Sequence, residues 1–385
     1  MIDHLTPAEL ASALALPDLT DPRHGPHALQ VLLDAIVAAL SSSGPTSVDI
    51  VRLDPVVPTT DNYDRLGFDP DAVTRDVRYS RYVDDHHMLR SHTSAGIPGI
   101  LDALDDHDDL DRQLVLPGLV YRRDSIDRSH IGTPHQVDLW RISSTTRLTT
   151  DGLDAMIAVL VDQVLPGAEW RAVAAAHPYT VHGRQIDVRV DQTWLELAEC
   201  GMIAPGLLSA SGLDPDRWSG LALGMGLDRA LMLHKQIPDI RLLRATDPRI
   251  AEQMLDLRPW RPVSVMPAVR RDLSIVVPRD LDAEALGDRV RSALGRRVDD
   301  LESVDLLALT AYEDLPEPAR RRLWLVPGQA NALVRLTLRP LARTLTDAEA
   351  NELRDLVYLA VHQGPVVELV GPSGQAGRGT TASLD

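Results

Sequence analysis

The sequence predicts an α+β fold divided into two domains, and three observations support this prediction. The 385 residues exceed the usual length of one domain, and a hydrophobic content of 44% is enough for a sizeable core. Segments of alternating polarity indicate antiparallel strands, and segments with apolar residues at helical spacing indicate flanking helices. Three prolines lie close together near residues 257–267 and mark a boundary between the domains.

The first predicted domain spans residues 25–257 and follows an acidic, loosely patterned leader, residues 1–24. Residues 28–40 carry an apolar stripe that predicts a helix, and the β-branched residues of 48–57 predict a strand. The other predicted elements are antiparallel strands at 114–122 and 135–142, a helix at 152–165, a strand pair at 185–200, and a strand-to-helix change over 220–235. Together these elements predict an antiparallel sheet flanked by helices.

The second predicted domain spans residues 262–370 and has a different element order. The elements are a strand at 270–277, a helix at 282–295, strands at 302–311 and 331–339, a helix at 346–363, and a strand at 366–370. This β-α-β-β-α-β order is typical of a ferredoxin-like domain. Residues 371–385 are rich in Gly, Ser and Thr and predict a disordered tail.

Composition excludes several classes of protein. A net charge of −17 argues against a general nucleic-acid binder, because neutralising phosphates requires clustered Lys and Arg. Cys200 is the only cysteine, which excludes an internal disulfide and a multi-cysteine zinc site. The chain has no apolar run long enough to span a bilayer, and its N-terminus has no signal-peptide pattern. We therefore expect a cytoplasmic protein that does not cross a membrane.

Three segments contain residues suited to binding a nucleotide. Arginine binds phosphate with two parallel hydrogen bonds and stacks on adenine, so Arg122 on a strand and Arg229 at a helix start are candidates. The glycines of the third segment allow a ligand to approach the backbone closely. Each segment alone is a weak signal, since Gly224-x-Gly226 lacks the third glycine of a dinucleotide fingerprint. The segments are residues 87–94, residues 118–136, and residues 220–229.

Taken together, these segments resemble class II aminoacyl-tRNA synthetases, the second segment resembling motif 2 and the third motif 3. Over residues 25–363, the sequence is similar to the phenylalanyl-tRNA synthetase family in its single-chain, organellar-type form. Residues 262–363 resemble the anticodon-binding domain of that family. The motifs that carry the resemblance are His92-Thr93-Ser94, Tyr121-Arg122-Arg123-Asp124, His135-Gln136, Trp194-Leu195-Glu196, Cys200-Gly201-Met202 and Arg270-Arg271-Asp272-Leu273.

The resemblance implies a reaction in which the chain activates an amino acid with ATP and Mg²⁺ and transfers it to tRNA. It implies that Arg122 holds the α-phosphate and the reacting carboxylate, and that Arg229 binds the γ-phosphate near adenine. Asp124 and His130 are expected around the nucleotide, and Glu196 on the ATP and Mg²⁺ side.

The resemblance also implies an amino-acid site. His92, Ser94 and Gln136 are expected to hold the ammonium and carboxylate ends of the amino acid. The expected lining of the side-chain pocket is Leu221, Ala222, Leu223 and Gly224. No side chain has to act as a covalent nucleophile, because positioning and charge stabilisation suffice for this chemistry.

Several positions depart from the family pattern. Leu221-Ala222-Leu223-Gly224 stands where the family has Phe-Ala-Phe-Gly, and Pro134 replaces a phenylalanine. Arg184 and Gln185 stand where an aromatic residue and a carboxylate are expected. Three functions follow: a phenylalanine–tRNA ligase, a paralogue that activates a different amino acid for tRNA or another acceptor, and a non-catalytic regulatory module.

The expected partners are an amino acid and tRNA, with a monomer or a homodimer formed through the helix near 28–40. The second domain has a charge near neutral, so a tRNA contact there requires a local basic patch. The candidate residues of this patch are Arg270, Arg271, Arg296, Arg297, Arg320, Arg321, Arg322, Arg339 and Arg343.

Overall fold

The computed structural model divides the chain into two compact units. The first comprises Met1–Arg122 and Thr133–Arg261, and the second comprises Arg123–Gly132 and Pro262–Asp385. The structure describes residues 4–42, 44, 47–76, 79–122, 127–128, 130–190, 192–263, 267–341 and 343–365.

The first unit is built on a seven-stranded sheet formed by described residues, with the strand order β1-β5-β6-β10-β9-β8-β7. Strand β1 pairs in parallel with β5, and the remaining pairs are antiparallel. The strands are β1 (Ser47–Ile50), β5 (Asp111–Leu119), β6 (His135–Ser143), β7 (Trp170–Ala174), β8 (Thr180–Val190), β9 (Thr193–Ile203) and β10 (Ser219–Gly226).

A smaller three-stranded sheet of described residues lies beside the loop that carries His92, with the order β2-β4-β3. Its side chains and those of the following turns form a separate core around Tyr63, against which Phe68 packs. Phe68 is the only phenylalanine of the chain. The strands are β2 (Val56–Pro58), β3 (Arg81–Tyr82) and β4 (His87–Leu89).

Helices cover the large sheet of the first unit, and three of them (α2, α5 and α7) pack against one another. The helices of this unit are α1 (Pro7–Leu14), α2 (Ala28–Ser41), α3 (Thr59–Asn62), α4 (Ile97–Asp102), α5 (Thr150–Val164), α6 (Pro205–Ala210), α7 (Leu227–Lys235) and α8 (Pro248–Ala251). Among the described residues, no helix is both long enough and apolar enough to cross a bilayer.

Helix α2 shows how the apolar pattern produces the core. Leu29, Leu32 and Leu33 recur at helical spacing and are 2% exposed or less, so the predicted helix at 28–40 is confirmed. Each such leucine contributes roughly 1.5–3 kcal/mol by burial. His27 caps the helix, its Nδ1 accepting from the Leu29 N–H at 3.1 Å. Burial lowers the pKa of His27 to about 4, which keeps the ring neutral and able to accept this bond.

Two expectations for the N-terminal part are wrong. The single strand expected at 48–57 is two strands, β1 and β2, separated by residues without regular structure around Pro55, which has no N–H to donate to a ladder. The loosely patterned leader contains helix α1. Its start has a full capping box, in which Thr6 accepts from the Glu9 N–H and Glu9 accepts from the Thr6 N–H.

The second unit contains a three-stranded antiparallel sheet in the described residues, with the order β11-β13-β12. Its core comes from one face of this sheet and from the helices α9 and α11, which pack on each other. The elements are β11 (Val269–Pro278), α9 (Ala283–Leu294), β12 (Leu301–Ala311), α10 (Glu317–Leu323), β13 (Gln329–Leu338) and α11 (Asp347–Val361).

The α+β class predicted for the chain is confirmed. In the second unit, the described elements include the predicted β-α-β-β-α order, with the extra helix α10 between β12 and β13. The fourth strand expected at 366–370 and the tail at 371–385 lie outside the described residues. The complete ferredoxin-like pattern therefore stays a prediction.

A buried pair joins the large sheet to helix α7. Asp228 accepts from the His135 main-chain N–H at 2.7 Å and contacts His135 Nδ1 at 2.8 Å. On the other side of the ring, His135 Nε2 accepts from the Leu19 N–H at 2.9 Å. A neutral imidazole protonated at Nδ1 satisfies both contacts. Burial alone would raise the pKa of Asp228, but its electrostatic interaction and hydrogen bonds with His135, together with the charge of Arg244, outweigh burial and lower it.

We expect Asp228→Ala to lower the free energy of unfolding by about 3 kcal/mol, because it leaves two buried N–H donors of His135 without an acceptor. Urea unfolding measures this change. The control is Asp216→Ala, an exposed residue with an expected effect within about 0.5 kcal/mol. Because folding lowers the pKa of Asp228, its ionised carboxylate contributes to the free energy of unfolding above the unfolded pKa of Asp. This contribution is lost as the pH falls through the folded pKa. Equal effects of the two variants would contradict the role of this pair.

Candidate active site

Arg122 lies just after β5 and is exposed at the edge of the large sheet. Its Nε donates to the Ser91 carbonyl at 2.6 Å, and its Nη2 donates to Gln136 Oε1 at 3.3 Å. Ser91 is fixed in turn by the buried Asn62, which donates to the Ser91 hydroxyl and accepts from the Ser91 N–H. Nε and Nη2 of the guanidinium are therefore occupied by protein acceptors. The remainder of this exposed group is open to a ligand.

Arg229 lies in the first turn of α7, directly after the glycine-rich end of β10. Its Nη1 donates to the main-chain oxygen of Glu196 on β9 at 3.4 Å. Leu227 and Asp228, the two residues before it, are buried and fix the start of the helix. A Cβ on Gly226 would meet no atom within 4 Å, so the space beside the strand end is open.

The carboxylate of Glu196 is influenced electrostatically by both arginines. Burial and the negative charge of Glu199 raise the pKa of Glu196, and the positive charges of Arg229 and Arg122 act in the opposite direction. Both guanidinium groups are thus close enough to the same carboxylate to change its titration. Arg229 also contacts the main chain of Glu196, and the roles of Arg122, Arg229 and Glu196 at a nucleotide stay predictions.

A cavity of about 40 Å³ lies on the sheet beside these residues, enough for roughly three water molecules. Its floor follows from the strand register, in which Gly224 of β10 pairs with Asp138 of β6 on one side and with Glu199 of β9 on the other. Directly paired residues point to the same face of a sheet. Two carboxylates therefore stand on either side of a residue that has no side chain.

Asp138 is 1% exposed and accepts two hydroxyl hydrogen bonds through the same oxygen. Thr93 Oγ1 donates to Asp138 Oδ2 at 2.6 Å, and Ser94 Oγ donates to it at 2.9 Å. Burial raises the pKa of Asp138, with these hydrogen bonds and the charge of Arg122 acting in the opposite direction. The other oxygen, Oδ1, lies 3.0 Å from where a Cβ on Gly224 would be, so it faces the cavity.

His92 precedes Thr93 and Ser94, the two residues that donate to Asp138. Its ring stacks on Phe68 at 5.5 Å and meets Tyr63 edge-on at 6.4 Å. Within the described part of the chain, both ring nitrogens are buried without a hydrogen-bond partner. Burial, supported by the charge of Arg122, lowers the pKa of His92 to about 3. His92 is thus a neutral ring with unused hydrogen-bonding capacity.

His177 and Glu199 form an ion pair in the cavity wall, with His177 Nε2 at 2.9 Å from Glu199 Oε2. The contact with Glu199 raises the pKa of His177, and the contact with His177 lowers the pKa of Glu199. The contact therefore favours the charged form of both groups. Tyr179 follows in the same wall and stacks on Trp140 at 5.6 Å.

The structure divides the four residues expected to line the amino-acid pocket. Ala222 and Gly224 share the cavity face of β10. Strand alternation turns Leu221 and Leu223 to the opposite face, where Leu221 Cδ1 packs 3.7 Å from the Cβ position of Gly152 in α5. Leu223 borders the cavity, but its side chain belongs to the helix-covered face. Arg184 also lies on that face, where it pairs with Asp154.

Two of the expected nucleotide residues are not placed at this site. Asp124 lies outside the described residues. His130 belongs to the second unit, where its Nδ1 lies 2.6 Å from Asp127 Oδ2. Their roles at a nucleotide stay predictions. In the described residues, no group of three or more His, Cys, Asp or Glu side chains forms a metal site.

Comparisons with known proteins agree with this geometry. Residues 15–254 match the family described as tRNA synthetases class II core domain (F). The chain belongs to the class II tRNA synthetase family. It is 31% identical to a phenylalanine–tRNA ligase alpha subunit of Nostoc punctiforme, over 62% of this chain and 70% of that relative.

Another relative matches almost the full length. The chain is 25% identical to the mitochondrial phenylalanine–tRNA ligase of Saccharomyces cerevisiae, over 89% of this chain and 87% of that protein. A solved pyrrolysyl-tRNA synthetase of Desulfitobacterium hafniense aligns with a TM-score of 0.44 at 18% identity, over 58% of this chain and 75% of the other. The single-chain phenylalanyl-tRNA synthetase resemblance is thus confirmed by relatives that span both units.

Sequence reasoning missed three residues of the site: Asp138, His177 and Glu199. Asp138 had a signal, because it stands two residues after Gln136 on the same strand and alternation places both on one face. Glu199 had a weaker signal, as a charged residue between the apolar Ala198 and Cys200 in a predicted strand. His177 lies in the turn before β8, and no local pattern in the sequence marks it.

We expect Gly224→Ala to raise the KM for the amino acid about tenfold in ATP–pyrophosphate exchange. The added methyl would lie 3.0 Å from Asp138 Oδ1 and 3.4 Å from Gln136 Nε2, which displaces both groups. Gly206→Ala in α6 is the control, since its methyl would meet no atom within 4 Å. An unchanged KM in Gly224→Ala would show that the amino acid binds elsewhere.

Proposed function

We propose that the chain is an ATP-dependent aminoacyl-tRNA ligase of the phenylalanine–tRNA ligase type. It forms an aminoacyl-adenylate and passes the aminoacyl group to tRNA. The observation that supports this proposal is that Arg122 hydrogen-bonds Gln136 in the cavity wall, while Arg229 at the start of α7 hydrogen-bonds the main chain of Glu196 on β9. Relatives that match over most of the chain are named phenylalanine–tRNA ligases, which makes phenylalanine the first substrate to test.

In the proposed reaction, a carboxylate oxygen of the amino acid attacks the α-phosphorus of ATP, and pyrophosphate leaves. Two anions must approach each other, so fixed positive charge is the main requirement. Arg122 has an open guanidinium face and would hold the α-phosphate and the reacting carboxylate. Arg229 would hold the γ-phosphate, at the N-terminus of α7, where the helix dipole also favours anions.

The amino acid is proposed to bind with its ammonium group at Asp138. This carboxylate is buried, and burial raises its pKa despite the opposing charge of Arg122, so a cationic ligand would favour its charged form. An ammonium group facing Oδ1 would supply the missing charge. Gln136, held by Arg122, would orient the carboxylate of the amino acid, and the neutral His92 ring would offer a hydrogen bond from the opposite side.

Glu196 fits a Mg²⁺ site of the kind that forms only with ATP. Mg²⁺ prefers oxygen ligands, and it is commonly bound by one or two carboxylates together with phosphates and water. Glu196 meets this requirement, being a carboxylate near both arginines with Glu199 in electrostatic range. The ion would neutralise phosphate charge when it is bound.

Binding of tRNA is proposed for the second unit by analogy with the relatives. The expected basic patch is less available there than the sequence suggests, because several of its arginines form ion pairs. These are Arg271 with Asp347, Arg297 with Glu352, Arg321 with Glu317, Arg339 with Glu302, and Arg343 with Asp300 and Glu349. The assembly state, monomer or homodimer, and a cytoplasmic location stay predictions.

We expect Arg122→Ala and Arg229→Ala each to lower kcat/KM for ATP–pyrophosphate exchange by about 10²–10³, because each removes a fixed positive charge from the reacting phosphates. The exposed position of Arg122 predicts little change in thermal stability. Arg249→Ala is the matched control, since that arginine is paired with Asp247 at the surface.

Comparable activity in Arg122→Ala, Arg229→Ala and the control would reject the proposed nucleotide site. Adenylate formation without transfer to any tRNA would instead limit the proposal to the activation step.

We expect the KM for the amino acid to fall as pH rises through the raised pKa of Asp138. Below that pKa the carboxyl group of the free enzyme is protonated, and it must lose the proton before it can pair with an ammonium ion. Exchange assays between about pH 5 and 8 measure this slope. Asp138→Asn should raise KM and remove the slope. Retention of the slope in Asp138→Asn would assign it to another group.

The raised pKa of Asp138 also affects the stability of the protein when no ligand is bound. A carboxyl group whose folded pKa lies above its unfolded value binds a proton on folding, so the free energy of unfolding falls as pH rises through the folded pKa. A bound ammonium group reverses this effect, since it favours the charged form of Asp138.

A further inference from the structure

The side-chain end of the cavity is unusually polar for a pocket that receives a phenyl ring. Asp138, Gly224 and Glu199 form a row across β6, β10 and β9, with both carboxylates on the same face. Neighbouring strands lie about 4.8 Å apart, so the Cα atoms of the two acidic residues are roughly 9–10 Å apart. An amino acid whose ammonium group is held at Asp138 therefore extends across Gly224 towards Glu199.

Glu199 is held in place and still has capacity to bind. His177 occupies its Oε2 at 2.9 Å, and Oε1 takes no hydrogen bond from the described residues. The His177 side chain is 16% exposed and that of Glu199 is 44% exposed. The carboxylate thus stands at the open side of the cavity, within reach of a ligand and oriented by a partner that is more deeply buried.

The wall beside this pair is aromatic and the floor is small. Tyr179 lies between Trp140, at 5.6 Å, and Phe68, at 6.3 Å. Ala222 forms the floor beyond Gly224. Flat side chains pack well against such a wall, and the absence of bulk on β10 leaves space above the sheet.

A plain phenyl ring fits the wall but not the ion pair. A ring placed against Glu199 would remove water from a carboxylate without supplying a hydrogen bond in return, which costs binding free energy. A side chain that ends in a hydroxyl, amino or imidazole N–H group would donate to Glu199 Oε1 instead. Hydrogen bonds to a charged acceptor are among the stronger ones in proteins.

We propose that the preferred amino acid carries a hydrogen-bond donor at the end of its side chain, which Glu199 accepts while His177 positions it. This inference rests on the proposed function, because it assumes that the cavity receives the amino acid to be activated. It names Glu199 as the residue that determines specificity and leaves the nucleotide chemistry to Arg122 and Arg229.

The test is ATP–pyrophosphate exchange with phenylalanine, tyrosine, 4-aminophenylalanine and histidine as separate substrates. We expect at least one of the three donor-bearing amino acids to exceed phenylalanine in kcat/KM by about tenfold or more. Glu199→Gln should lower that preference by about tenfold. Thermal unfolding of the variant establishes that it is folded, and Glu199→Asp, which keeps the charge, should retain part of the preference.

The matched control is Glu169→Gln, which removes a surface carboxylate of the same sheet that pairs with Arg189 at 2.9 Å. It should leave all four substrates unchanged. Exchange with none of the four amino acids would overturn the proposed function together with this inference. Highest efficiency with phenylalanine, unaffected by Glu199→Gln, would overturn the inference alone. A preference for a donor-bearing amino acid that persists in Glu199→Gln would overturn the assignment to Glu199.

Discussion

The site depends on the antiparallel pairing of β10 between β6 and β9. This register places Gly224 directly between Asp138 and Glu199. Two carboxylates therefore lie on the same face of the sheet, with the open space above Gly224 between them. Any side chain at position 224 would fill this space and come too close to Asp138 Oδ1. The same strand ends at Gly226 and is followed directly by α7, which carries Arg229 in its first turn. One strand thus shapes the amino-acid cavity and sets the position of a proposed phosphate ligand.

The charges of the site are balanced only in part by the protein itself. Glu199 has His177, and Glu196 has the two arginines in range, but burial keeps the pKa of Asp138 raised despite two hydroxyl donors and the charge of Arg122. A buried carboxylate in this state is stabilised by a ligand that brings a cation. At the proposed site, the binding of a substrate ammonium group and the protonation of Asp138 would therefore be linked. The linkage favours a ligand with a free ammonium group over one whose amine is blocked, before any contact with the side chain is made.

Much of the fold was predictable because it rests on local patterns. The apolar stripe of α2, the β5–β6 hairpin and the change from β10 to α7 each have a clear signal within a few residues. Helix α1 had a signal too, in Thr6, Pro7 and Glu9, although its acidic surroundings favoured a loose leader. The placement of Leu221 in the pocket overlooked the alternation of a strand, which turns its side chain away from the face of Ala222 and Gly224, whereas Leu223 borders the cavity. Local sequence patterns could not predict the His177–Glu199 pair, because its two residues are far apart in the sequence and meet only in the folded chain.

The arrangement separates the groups proposed for chemistry from those proposed for specificity. Arg122 follows β5 and Arg229 begins α7, whereas His177 and Glu199 belong to the turn before β8 and to β9. A change at Glu199 leaves the contacts that fix both guanidinium groups in place, because Arg122 is held through Ser91 and Gln136 and Arg229 through the start of a buried helix. A class II synthetase built this way can change its amino acid by substitutions on one strand and an adjacent turn. The family motifs that hold ATP can then persist while the polar residues of the cavity depart from an apolar pocket.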